Sequence, residues 1–187
     1  MRIVGGKFAR RNLVAPPGLA TRPTSDRVRE AIFNILCHHP WPVGDVLDNA
    51  NVLDVCCGTG AMGLEALSRS AQGAWFMDMA TPALQAAQDN IAALKCGAQA
   101  HVLRCDATKP PHAERPCGLI FIDPPYRKNL PAQIVPALIA AGWVAPGAVL
   151  VIETARDEVL VLPEGWQPAL RRDYGATAVH FALAALE

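Results

Sequence analysis

The sequence contains no Cys-x-x-Cys pair and no cysteine–histidine spacing of the kind that holds a metal, although six cysteines are present (Cys37, Cys56, Cys57, Cys96, Cys105, Cys117). No metal centre is therefore expected. Several of these cysteines lie in apolar runs and read as small, reduced core residues. Uninterrupted apolar length is also missing. The longest apolar region, ALIAAGWVAPGAVLVIE, is broken by Gly142, Pro146 and Gly147 and is too short to span a bilayer. The start, MRIVGGKFARRN, lacks the apolar stretch of a signal peptide, so a cytoplasmic location with no membrane partner is the expectation. Repeats and low-complexity tracts are absent. With 51% hydrophobic and 18% charged residues among 187, the chain reads as one ordinary globular domain, and a monomer is expected.

Net charge is missing as well, and a formal value of zero argues at first against a nucleic-acid partner. Its distribution argues the other way. Residues 1–30 carry seven basic side chains (Arg2, Lys7, Arg10, Arg11, Arg22, Arg27, Arg29) against Asp26 and Glu30, leaving +5; the remaining 157 residues carry −5. A basic arm on a mildly acidic body suits phosphate-backbone contact, although a solvated terminus would look the same by charge alone.

What is present is an orderly alternation. Residues 1–23 hold the strand-like pieces RIV and NLVA around GGKFARR, then a Pro/Gly-rich PPGLATRP; they suggest a hairpin and an extended connector set apart from a main body at 24–187. A helix capped by Thr24 or Ser25 follows, with Val28, Ala31, Ile32, Ile35 and Leu36 on one apolar face, ending at His38-His39-Pro40. Beyond residue 51, NVLDVC, GAWFMD, AHVLRC, GLIFID and GAVLVIET read as strands. AMGLEALSRS, TPALQAAQDNIAALK and LPAQIVPALIAA read as helices, the last with a proline irregularity. EVLVLP and PALRRDYGATAVHFALAAL read as antiparallel strands closing one edge. Strand–helix alternation with buried strands implies an α/β fold, a doubly wound and mostly parallel sheet.

Two motifs sit at strand ends. In VLDVCCGTGAMGLEAL a strand runs into Gly58-Thr59-Gly60-Ala61-Met62-Gly63, a match to GxGxxG that by itself says only that backbone comes close to a ligand at a helix start. A dinucleotide and S-adenosylmethionine both suit such a turn. Asp54, four residues before Gly58, would oppose a pyrophosphate and would suit the ammonium of S-adenosylmethionine. Asp78, 18 residues after Gly60, can accept from ribose hydroxyls, and Asp106 from an adenine amine. The second motif is Asp123-Pro124-Pro125-Tyr126, after the strand LIFI. Proline ends the strand and stiffens the turn. Asp123 and the Pro124 carbonyl can each accept one N–H of a purine amine, sharpening its lone pair towards a methyl donor, while Tyr126 offers a ring to a base taken out of its helix. No covalent intermediate is required, so Cys56 and Cys57 are not expected to be nucleophiles.

LDVCCGTGAMGLEALSR and FIDPPY resemble the signatures of S-adenosylmethionine-dependent amino-methyltransferases. With RIVGGKFARRNL, TRPTSDRVREAIFNIL and YGATAVHF, nearly the whole chain is similar to the bacterial 16S ribosomal RNA guanine-N2 methyltransferases of the RsmD type. The resemblance implies a seven-stranded, Rossmann-like class I methyltransferase fold with a small N-terminal β-hairpin extension. It implies S-adenosylmethionine as cofactor, 16S RNA in the small subunit or an assembly intermediate as partner, and guanine 966 as target. Asp54, Cys56, Gly58, Thr59, Gly60, Asp78, Met79, Asp106 and Ala107 then belong to the cofactor site, and Asp123, Pro124, Pro125 and Tyr126 to the acceptor site. Arg2, Lys7, Arg10, Arg11, Arg22, Thr24, Arg27 and Arg29 form the expected RNA-contacting set, with Arg27 and Arg29 open to cofactor contact instead. Two positions depart from the family pattern: Ala80 stands where a second acid often follows the ribose-binding one, and Cys56-Cys57 where an aromatic and a small residue commonly precede the glycines. A DNA adenine-N6 methyltransferase and a non-catalytic RNA-binding assembly protein are the alternatives on the same fold.

Overall fold

The computed structural model describes residues 1–15 and 25–186. Its centre is a seven-stranded sheet in the order β3-β2-β1-β4-β5-β7-β6. The strands are β1 (Asn51–Val55), β2 (Gly73–Asp78), β3 (Ala100–Arg104), β4 (Cys117–Ile122), β5 (Val144–Ala155), β6 (Trp166–Tyr174) and β7 (Thr177–Ala184). The first five pair in parallel; β7 runs antiparallel to both β5 and β6. The order reverses between β1 and β4, so their carboxyl ends flank the crevice where an open α/β sheet takes its ligand.

Helices α1 (Asp26–His38), α2 (Ala61–Ser68) and α3 (Thr81–Leu94) lie on one face and α4 (Pro131–Ala140) on the other. Strand periodicity divides the core accordingly. Val52, Phe76, Leu119, Phe121 and Val151 pack under Ile32, Phe33, Leu64 and Ile91, whereas Leu53, Trp75, Ile120 and Leu150 pack with Ile134, Leu138 and Trp143. No helix bridges β3 and β4. The connecting loop covers that part of the second face, held by Trp143 Nε1 donating to the Pro111 carbonyl at 2.8 Å and by Ala113 N–H donating to the Ala141 carbonyl at 2.8 Å. Ser25 caps α1, its hydroxyl accepting from Val28 N–H at 3.2 Å. Thr24, the alternative cap, lies outside the described residues.

Three sequence expectations change. The N-terminal segment is not a regular hairpin. One antiparallel bridge, Arg2 with Asn12, flanks a short 3-10 turn at Gly6–Phe8. Nor is its described part set apart, because Ile3 and Leu13 are buried in the core beneath α1–α3. It lies on α2, whose eight residues are consequently all buried. Glu65 accepts from Val4 N–H at 2.7 Å and from Gly5 N–H at 2.8 Å, and Ser68 Oγ accepts from Phe8 N–H at 2.9 Å. A side chain at Gly6 would put its Cβ 1.8 Å from the Ser68 carbonyl oxygen, so only glycine allows this seat. Secondly, EVLVLP is not a strand. Glu158 N–H closes a turn onto the Ala155 carbonyl, Val159 and Val161 stay exposed, and the antiparallel pair is β6 with β7. Thirdly, β5 starts three residues before Gly147, passing Pro146 beside a register shift in β4.

Candidate active site

Sheet register brings the motifs together. Val55 is level with Met77 and with Ile122, and Ile122 with Ile152. One step further along each strand stand Asp78, Cys56, Asp123 and Glu153, four neighbours across the carboxyl edge of β2, β1, β4 and β5. Asp106 follows two residues after the end of β3.

The turn after β1 uses three residues of positive φ, Cys56 at 58°, Gly58 at 54° and Gly60 at 76°. The two glycines serve different ends. A Cβ on Gly58 would meet nothing within 4 Å, leaving an open backbone face; a Cβ on Gly60 would sit 3.1 Å from the Phe76 ring, closing the α2–β2 seam. Two acids brace this turn from behind. Asp54 is buried, and its Oδ2 accepts from Gly63 N–H at 2.9 Å in the first turn of α2. Burial pushes its pKa up to about 7, against the lowering effect of the Gly63 bond, and the charge of Asp78 adds to the rise. Asp78 accepts from Gly58 N–H at 3.0 Å through one oxygen and from Ala80 N–H at 2.9 Å through the other. Ala80, the departure from the family pattern, therefore contributes its backbone to the acid beside it. Asp106 accepts from Thr108 N–H at 2.9 Å and from the Thr108 hydroxyl at 2.7 Å, which hold its carboxyl below the usual range.

The convergence of these acids is registered by Cys56. Burial first, then the charges of Asp78, Asp123, Asp54 and Asp106, push its thiol up to about 12; Cys57 is raised too, chiefly by burial. Both thiols stay protonated, which removes them as nucleophiles. Thr59 is half-buried, its carbonyl accepting from Asn90 Nδ2 at 3.0 Å; Met79 is exposed beside Asp78, and Ala107 is buried beside Asp106.

Asp123 is half-buried at the end of β4, its N–H donating to the Val55 carbonyl at 3.3 Å. Pro124 is buried and Pro125 exposed. Tyr126 is 38% exposed, and its hydroxyl lies 3.2 Å from Thr177 Oγ1 on β7. Burial, followed by the Thr177 bond in the opposite sense and then by Asp123 and Glu153, pushes this phenol up to about 12, so it remains a hydrogen-bond donor.

The basic residues divide. Arg2, Lys7, Arg10, Arg11 and Arg27 are exposed. Lys7 Nζ reaches Gln99 Oε1 at 3.2 Å and Arg11 donates to the Ala93 carbonyl at 3.0 Å, so both lie near the C-terminal end of α3. Arg29 is a correction: its side chain is fully buried, donating to Asp26 Oδ1 at 2.8 Å and to the Arg2 carbonyl, with Glu65 3.7 Å from its Nε. It ties α1, α2 and the arm together and presents nothing to RNA or cofactor. Arg22 lies outside the described residues, as Thr24 does.

Sequence reasoning missed three residues here. Asn90, buried on α3, holds both the glycine turn through Thr59 and the end of the arm, accepting from Val14 N–H at 2.7 Å and donating to the Val14 carbonyl at 3.0 Å. Nothing in its helical context marks it. Glu153 carried the same signal as Asp123, an acid closing a branched apolar strand, and Thr177 lay within YGATAVHF. Among the described residues no cluster of three or more His, Cys, Asp or Glu could hold a metal ion, and no helix is long and apolar enough to cross a membrane.

Comparison with known proteins gives the family and the fold. The family model described as conserved hypothetical protein 95 matches residues 1–183. The Escherichia coli K12 protein named ribosomal RNA small subunit methyltransferase D is 36% identical over 185 residues, covering 98% of this chain and 88% of its own. The solved structure of a putative methyltransferase from Escherichia coli superposes with a TM-score of 0.84 at 33% identity, covering 100% of this chain and 99% of its own. An RNA methyltransferase from Salinibacter ruber, solved with S-adenosyl-L-homocysteine, shares the fold at 14% identity and a TM-score of 0.66, over 88% of this chain and 95% of its own. The chain belongs to the RsmD family of ribosomal RNA small-subunit methyltransferases.

Proposed function

We propose that the chain transfers a methyl group from S-adenosylmethionine to the exocyclic N2 of a guanine in 16S ribosomal RNA, the guanine numbered 966 in that molecule. The observation that carries this reading is the gathering of Asp54, Asp78, Asp106 and Asp123 around the glycine turn at Cys56. So much carboxylate opposes a pyrophosphate and favours a cationic ligand, which separates S-adenosylmethionine from NAD. The residues fit that cofactor: Gly58 leaves its side open, Asp78 and Asp106 at neighbouring strand ends are the acids we assign to the ribose hydroxyls and the adenine amine, and Asp54 lies one layer behind the turn. When bound, S-adenosylmethionine supplies an electrophilic methyl on a sulfonium centre.

The remaining work belongs to the acceptor corner. Asp123 and the carbonyl of Pro124 each accept one N–H of the guanine amine, which disfavours conjugation of its lone pair with the ring and aims it across β4 towards β1. The two prolines hold that carbonyl in place before the base arrives. Tyr126 stacks on the base once it leaves its helix. The nitrogen would gain a bond to the methyl carbon as the carbon–sulfur bond breaks and the donor leaves as a neutral thioether, and it would lose one proton, for which the Asp123 carboxylate is the adjacent base. Exposed Arg2, Lys7, Arg10, Arg11 and Arg27 then hold the phosphates that lead to the site.

The test is methyl transfer from labelled S-adenosylmethionine to small subunits lacking the modification, to naked 16S RNA and to duplex DNA, with mass mapping of the product. Label on guanine N2 of the ribosomal substrates is expected. Label confined to adenine N6 of the DNA would overturn the assignment. No transfer to any substrate, with cellular function surviving Asp123→Ala, would instead support a non-catalytic assembly protein.

A further inference from the structure

Tyr126 is held from outside its own motif. Glu153, at the end of β5, is only 6% exposed, an unusual place for a carboxylate unless something on it is used. Its strand pairs with β4 in parallel, and Ile122 level with Ile152 puts Glu153 beside Asp123. Both side chains point to the same face as Phe121 and Val151. Thr177, at the start of β7, lies 3.2 Å from the Tyr126 phenol oxygen, and the Glu153 carboxylate is near enough to that phenol to raise its pKa. One hydroxyl has one hydrogen and two lone pairs. A phenol that gives its O–H to that carboxylate would accept from the Thr177 hydroxyl, and its ring would then be fixed at two points. Thr177 itself is registered by its pairings with Ala155 and Tyr174 across the antiparallel edge.

We propose that Glu153 and Thr177 are positioning residues for the methyl transfer, holding the Tyr126 ring in the plane against which the guanine stacks. They act through Tyr126 and touch neither base nor cofactor. This rests on the functional reading above and deepens it: the Asp-Pro-Pro-Tyr corner works as part of an assembly drawn from β4, β5 and β7. It also gives the YGATAVHF stretch a task, since its threonine is the second clamp. An acid suits the first clamp because a hydrogen bond to a charged acceptor is about twice as strong as a neutral one. The ring is thereby ordered before substrate binds, and its immobilisation is not a cost of binding.

Single-turnover methylation of small subunits lacking the modification reads this out, with cofactor affinity by calorimetry as control. Glu153→Ala is expected to slow the step about tenfold, the size of one hydrogen bond to a charged group. Glu153→Gln, which still accepts, and Thr177→Val are expected to slow it less, with cofactor affinity unchanged in all three. The deciding measurement is a double-mutant cycle. In a Tyr126→Phe background, which keeps the ring and loses the hydroxyl, Glu153→Ala should change the rate by less than about twofold, because the link through the phenol is already cut. Equal losses in both backgrounds, or an unslowed Glu153→Ala, would overturn the proposal. If Glu153→Ala does not fold, Glu153→Gln and Thr177→Val carry the same cycle. A wild-type enzyme inactive on every ribosomal substrate would overturn the functional reading; an active one without coupling would overturn only this inference.

Discussion

The two halves of the carboxyl edge are built by different means. On the β1–β3 side, acids hold backbone: Asp54 binds Gly63 N–H, Asp78 binds Gly58 and Ala80 N–H, and Asp106 binds Thr108 N–H. On the β4–β7 side, side chains meet side chains, with the Tyr126 hydroxyl 3.2 Å from Thr177 Oγ1 and its phenol raised in pKa by Asp123 and Glu153 nearby. The first arrangement fixes the backbone of the glycine turn and its neighbours locally, since each of these bonds spans 20 residues of chain or fewer. The second, on the proposed reading, aims one ring and one carboxylate, and its contact from Tyr126 to Thr177 spans 51 residues. A cofactor used in every turnover suits a backbone-made seat. A nucleobase that must be captured and aligned needs groups whose angles are set by packing.

That contrast can be broken most sharply at Asp123. Asp123→Asn should lower turnover by about 10²–10³, the loss seen when one transition-state hydrogen-bonding group is removed, and leave cofactor affinity almost unchanged. Calorimetry beside single-turnover rates separates the two halves; a matching loss of cofactor affinity would show that they are not independent. On the other side, Asp54 predicts a pH signature. Its folded pKa is raised from 3.8 to about 7, so between these values the folded chain keeps a proton that the unfolded chain has released. Stability from this group is therefore full below about pH 4 and declines as pH rises towards 7, by up to roughly 1.4 kcal/mol per pH unit. Asp54→Asn, which still offers Gly63 an oxygen, should flatten that slope in denaturant titrations at several pH values.

The same contrast explains how much could be seen in the sequence. The alternation of strands and helices, the glycine turn and three acids at strand ends are local patterns; the fold follows from them, and so does the proposed cofactor half. Glu153 has a local signal, an acid after a branched apolar run, but its place beside Asp123 comes from the pairing of β4 with β5; Thr177 is placed only by the pairing of β5 with β7, whose antiparallel register has no local mark. Arg29 went the other way. Its charge was legible, but not its burial against Asp26 and Glu65, so a structural cation passed for an RNA contact. EVLVLP has the composition of a strand and no ladder to join. Composition records preference for a pleated, half-buried surface; it does not record whether such a surface is available.

A smaller effect is expected at Gly63. A Cβ there would stand 2.5 Å from Cε1 of Phe76, whose ring is fully buried. Gly63→Ala must push α2 away from β2, at a cost of about 1–3 kcal/mol, and carries the Asp54 bond with it. Denaturant midpoints should fall, and cofactor affinity should weaken more than acceptor turnover at saturating cofactor. Equal loss in both would again erase the division between halves.

The arm supplies the smallest effect and the cleanest separation. The Arg10 side chain is exposed and makes no hydrogen bond or ion pair among the described residues, whereas Arg11 also caps the end of α3 through the Ala93 carbonyl. Arg10→Glu should therefore weaken RNA association with no change in stability or cofactor affinity, and Arg11→Glu should lower stability slightly as well. Removing one cation from a phosphate reduces the slope of log affinity against log salt by roughly 0.7 on single-stranded RNA. Titrations at several salt concentrations measure that slope directly. A slope unaltered by Arg10→Glu would place the RNA path away from the arm, and the exposed Arg27 would become the next cation to reverse.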